Sequence, residues 1–145
     1  MRVNLGCTAA ALALAFACAH GERGGGSAEG ARTTAELFHH RARWKDYGGA
    51  ALLLVPERRP AFEQARQRLA DERDLSIADY QLEEISLGAD QRTARVVSHV
   101  SWYRLPSISQ RDDLVVTELQ WSDGSWLVAR QSGGPFAGEL SGAVK

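Results

Sequence analysis

The chain has 145 residues, a formal net charge of -1, 44% hydrophobic residues and 24% charged residues. Those are ordinary globular proportions and one domain's worth of chain, and a near-neutral balance argues against nucleic acid as a partner. The two cysteines are Cys7 and Cys18. Cys7 falls in an apolar leader, so the mature chain keeps Cys18 at most, which excludes an internal disulfide and any thiolate-only metal site.

The leader comes first. Met1 and Arg2 make a short basic start, and an apolar run follows from Ala9 to Ala17. It is shorter than the roughly 20 residues needed to cross a bilayer. A basic tip, a short apolar stretch and small residues at its end are the layout of a cleaved secretory signal, assigned here to residues 1–18. Its removal leaves about 127 residues with a net charge of about -2. The segment Leu14, Ala15, Phe16, Ala17, Cys18 resembles the lipobox of bacterial lipoproteins. Ala17 fits that pattern; Ala15 stands where Leu is commoner, and Phe16 is bulkier than usual. The resemblance implies that Cys18 carries a lipid anchor and that the protein belongs to the cell envelope. Ala19 in place of Asp after the cysteine implies the outer membrane, facing the periplasm. The alternative is ordinary cleavage after Ala17 or Ala19, releasing a soluble periplasmic or secreted protein. Residues 19–31 are Gly-rich and polar and read as a flexible linker.

Residues 32–131 read as one domain. Thr33 followed by Glu36 suggests a capped helix start. Leu37, Phe38, Ala42, Trp44 and Tyr47 recur at three- and four-residue steps, one apolar stripe, and Gly48 and Gly49 suggest its end. Ala50 to Val55 reads as a short apolar turn or helix before Pro56. A second amphipathic helix is expected from Pro60 to Glu72, burying Phe62, Ala65 and Leu69. The period then becomes alternating. Ile77, Tyr80, Leu82, Ile85 and Leu87 mark a first strand whose phase slips at Glu83 and Glu84, the signature of a β-bulge. Thr93 to Leu105 is a long second strand rich in Val and aromatics. Asp113 to Trp121 and Trp126 to Gln131 make a hairpin about the Asp123-Gly124 turn, with Trp121 and Trp126 opposite each other. Residues 132–145 read as a loose tail.

Helices followed by four antiparallel strands predict an α+β fold with the helices on one face of the sheet. The order, the Trp44-x-x-Tyr47 helix end, the second helix opening Arg58-Arg59-Pro60-Ala61-Phe62, the bulged first strand and the Trp121 to Val128 hairpin resemble the nuclear transport factor 2-like superfamily, which includes the SnoaL-like cone domains. The resemblance covers roughly residues 32–131. It implies a curved four-stranded antiparallel sheet with helices packed on its concave face, and a pocket at the open end of the cone. Members include isomerases, dehydratases, hydrolases and non-catalytic binding domains, so the fold leaves function open.

The resemblance places the first helix in the concavity, with Trp44 and Tyr47 meeting inward residues of the long strands. Candidate pocket residues are Trp44, Tyr47, His99, Trp102, Tyr103 and Glu118. On the second strand His99 and Tyr103 share one face and Trp102 the other; the sequence leaves open which face looks inward. No catalytic residue, cofactor or metal site is assigned. His39 and His40 are neighbours and point about 100° apart on a helix, too far to share a metal, and the Gly-rich stretch follows no strand. The leading expectation is an envelope protein whose domain binds a partner protein or an apolar small molecule. The alternatives are a small-molecule enzyme in the cone pocket and a structural homodimer through the sheet.

Overall fold

The computed structural model describes residues 24–142. The signal segment and Cys18 lie outside the described residues. Four helices come first: α1 (Ala28–Arg43), α2 (Tyr47–Ala51), α3 (Arg59–Arg68) and α4 (Asp71–Asp74). Strands β1 (Leu75–Leu87), β2 (Thr93–Arg104), β3 (Arg111–Ser122) and β4 (Ser125–Ser132) follow, and a short α5 (Ala137–Leu140) comes last. The strands pair antiparallel in the order β1-β2-β3-β4, and the helices cover one face, as the alternation of helical and strand periods predicts.

The strand expectations hold closely. The register of β1 on β2 slips between Leu82 and Glu84, the bulge expected from the phase change. It puts Tyr80 and Leu82 on the same side as Ile85 and Leu87. Two further slips, at Ala78 and at Ala129, left no visible break in the pattern. Trp121 pairs with Trp126, their ring centroids 5.4 Å apart and close to edge-on.

The helix ends differ from expectation. Ser27, not Thr33, caps α1: its Oγ accepts from the Gly30 N–H at 3.0 Å. Thr33 sits inside the helix and donates to the Glu29 carbonyl. Residues 28–31 of the expected linker are therefore helical, and Gly25 to Ser27 are docked rather than free. The Gly26 N–H donates to the Gln91 carbonyl at 2.9 Å, and the Trp126 indole donates to the Ser27 carbonyl at 3.0 Å. A Cβ on Gly26 would run into the Trp126 ring, so here glycine serves close approach, not flexibility. Downstream, α1 stops at Lys45, whose φ is +62°, before Gly48 and Gly49, which belong to α2. The expected Pro60 to Glu72 helix is split by Ala70 at φ +50°.

With α1 extended back, its buried stripe is Ala31, Ala35, Phe38, His39 and Ala42. Leu37 and Trp44 fall outside it, Trp44 being 71% exposed. Three alanines on the buried side let the helix lie close to the sheet. The expected loose tail is also corrected. Phe136 and Leu140 are fully buried, because the apolar face of α5 closes the core against α3 and β4.

Candidate functional site

The two faces of β2 decide where the sequence candidates point. Ala94, Val96, Ser98, Val100 and Trp102 are buried toward the helices. The intervening residues, His99 and Tyr103 among them, face the other way. The pairing carries this across the sheet: Arg95 lies opposite Glu118, which lies opposite Arg130. His99 Nε2 is 3.2 Å from Glu83 Oε1, and Glu118 is 3.9 Å from Arg130, all four side chains about half exposed. Such pairs contribute little to stability. Of the six candidates only Tyr47 and Trp102 are buried among the helices and concave face. Trp44 is on the surface beside His40, and His99, Tyr103 and Glu118 lie on the outer face. Tyr47, His99 and Glu118 therefore do not share one cavity: alternation along β2 and β3 puts the last two on the face away from the helices.

Two features of the interior were not legible in the sequence. One is an aromatic cluster. Phe136 stands edge-on between Phe38 at 5.8 Å and Phe62 at 5.4 Å. The Arg66 guanidinium lies over the rings of Phe136 at 4.4 Å and Phe62 at 4.7 Å, a cation–π geometry strengthened by burial.

The other is an ionic cluster at the end of α3. Asp71 is fully buried and receives a forked pair from Arg104, at 2.9 and 3.2 Å. Arg66 Nε lies 3.1 Å from the same carboxylate, and Arg66 also pairs with Glu139 of α5. The left-handed turn at Ala70 swings Asp71 inward, toward both arginines. Burial pushes the Glu139 carboxyl up and lowers Arg66, each offset by its charged partner. The Tyr47 hydroxyl donates to the Asp71 carbonyl and is pushed up to about 12 by burial and the Asp71 charge. It stays protonated and serves as a donor. An open groove of about 770 Å³ runs past this cluster, lined by Lys45, Tyr47, Glu63, Arg66, Gln67 and Arg73 among others.

His39 is the remaining buried titratable group. Burial lowers it to about 4, so at neutral pH its ring is uncharged, stacked on Tyr80 at 5.4 Å, with Nε2 unpartnered. Among the described residues no three His, Cys, Asp or Glu gather into a metal-holding group.

Neither a protein-family model nor a curated protein matches the chain. Solved structures do. A ketosteroid isomerase-like protein from Erwinia carotovora atroseptica is 13% identical with a TM-score of 0.62, over 74% of this chain and 97% of that one. A SEC-C motif containing protein from Rhodopseudomonas palustris is 15% identical with a TM-score of 0.60, over 75% and 82%. A candidate polyketide cyclase from Xanthomonas campestris pv. campestris is 11% identical with a TM-score of 0.53, over 79% and 98%. The fold is the α+β cone of the nuclear transport factor 2-like kind.

Proposed function

We propose that the chain is an exported envelope protein, anchored through a lipid on Cys18, whose cone domain binds an apolar small molecule or a partner protein without turning it over. The observation that carries the binding reading is the division of the sheet. The titratable candidates on the long strands, Glu118 and His99, stand on the solvent side, whereas the helix-covered side is mostly apolar and aromatic, its charges gathered in the Asp71 cluster. The fold supports a ligand-binding cone, since such sites are concave, mostly apolar and carry few polar groups. The lipid anchor rests on the leader and its cysteine alone. A small residue, Ala17, before Cys18 at the end of an apolar run is what lipoprotein processing uses, and it supplies the two or more acyl chains that stable anchoring needs.

The enzyme alternative draws on the ketosteroid isomerase-like and polyketide cyclase neighbours and on the groove beside Tyr47 and Arg66. The homodimer alternative draws on the outer face, where Leu114 is half exposed on the side that carries Val97 and Val116.

Fractionation of cells expressing the full-length, tagged gene tests the anchor. The protein should sediment with membranes, and Cys18→Ser should shift it to the soluble fraction. Membrane association that survives the substitution overturns the lipid reading. Glu118→Gln and His99→Ala should each change stability by no more than about 0.5 kcal/mol. A substrate whose turnover vanishes with Glu118→Gln overturns the non-catalytic reading.

A further inference from the structure

We infer that the C-terminal segment Pro135 to Leu140 occupies the cone as a built-in stand-in for its ligand, and that the ligand is a carboxylic acid with an apolar body. The inference rests on the binding reading above and gives it a ligand class and a means of control.

Three observations carry it. The segment fills the interior with the parts of such a molecule. The Phe136 ring, 1% exposed, is wedged between Phe38 of α1 and Phe62 of α3, and Leu140 is fully buried beyond it. The one acid of the segment, Glu139, lies on Arg66, a guanidinium that is itself 4% exposed. Withdrawing the segment would leave an apolar cleft with a cation at its wall. Arg66 would keep Asp71 on one edge, with its other edge vacant and Nη1 already unpartnered. Two guanidiniums, Arg66 and Arg104, would then share the single Asp71 carboxylate, and a ligand carboxylate is the group that offsets the excess positive charge.

The attachment of the segment suits release. It follows Gly133 and Gly134, at φ +75° and +72°, two consecutive residues in a region open to glycine at little cost. Its far end is held by polar contacts to backbone oxygens. Arg58 donates to the Glu139 and Gly142 carbonyls, and Arg130 donates to the Ser141 carbonyl at 2.8 Å. Such contacts can exchange with water, whereas a strand edge in the sheet could not leave so easily. A ligand competes with the segment and shifts the population toward the released form.

The test uses the full mature chain and cis-parinaric acid, a fluorescent fatty acid, with its methyl ester as the uncharged control. Wild type should bind the acid weakly. Phe136→Ala, which empties the ring site, should bind it at least about tenfold more tightly. Leu140→Ala should act in the same direction, which keeps the test open should the first variant fail to fold. In both variants the acid should be preferred over the ester, and binding should increase protease cleavage after Gly134. Lowered stability with no gain in affinity in either folded variant reduces the segment to core packing and overturns the inference. Equally tight binding by wild type and variants overturns the stand-in while leaving the binding cone in place. No binding by any of them sinks both readings. Equal affinity for acid and ester overturns the role given to Arg66.

Discussion

Asp71 is the residue on which most charge in the interior depends. It takes a forked pair from Arg104 and a third contact from Arg66, and it has no exposed surface. Removing one partner of a buried ionic group strands the others, at a cost of about 3–5 kcal/mol. Asp71→Ala should therefore lower the unfolding free energy by that amount in urea titration, with a double mutant cycle against Arg104→Met giving strong coupling. A loss below about 1 kcal/mol would mean that the cluster is solvated. His39 makes a second residue-scale prediction. Its value is about 4 in the folded state against 6.5 for the free side chain. Between those values the unfolded chain binds a proton that the folded chain refuses. Stability should hold above pH 6.5, fall as pH drops toward 4, and lose roughly 3 kcal/mol in all. His39→Leu should flatten that slope; an unchanged slope would assign it to other groups.

At the scale of elements, the two ends of the domain's chain are what sequence reading missed. Gly25 and Gly26 look like linker by composition, yet their backbone lies against Gln91 and the Trp126 ring. Composition records that a residue lacks a side chain, not whether something fills the vacated space. Gly26→Ala should cost about 1–3 kcal/mol by forcing that contact apart. Ser27→Ala should cost about 1 kcal/mol by removing the cap of α1. Both are measured by thermal or chemical unfolding, and a neutral Gly26→Ala would mean the strap is not held. The α1 stripe was misphased for a related reason. Starting the helix at Thr33 hid Ala31 and gave weight to Leu37 and Trp44, large apolar residues that lie on the surface. The strands were legible because period two is strict. Even the Glu83 bulge announced itself, as apolar positions changing parity.

For the whole molecule, the docked strap and buried α5 extend the compact unit well beyond residues 32–131. Limited proteolysis of the native protein should leave a core from about Gly24 to Gly142, because the chain between is hydrogen-bonded or buried at both ends. Mass spectrometry of the core reads this directly. Native cleavage inside Thr93 to Arg104, in the middle of the sheet, would contradict the fold.

The sequence by itself determined the four strands, their order and the α+β class, because each follows from local periodicity, turn chemistry and neighbouring pairing; the cone came from the family resemblance. The site was different. Which face of β2 looks inward depends on where the helices lie, and nothing within the strand's own alternation distinguishes Trp102's side from His99's. The meeting of Arg66, Asp71, Arg104 and Glu139 joins three positions far apart in the chain through one left-handed turn at Ala70. The segment around Phe136 read as a tail because two glycines and a proline precede it. Only tertiary packing decided that its single ring completes the core, since burial is a property of the space the other elements leave empty.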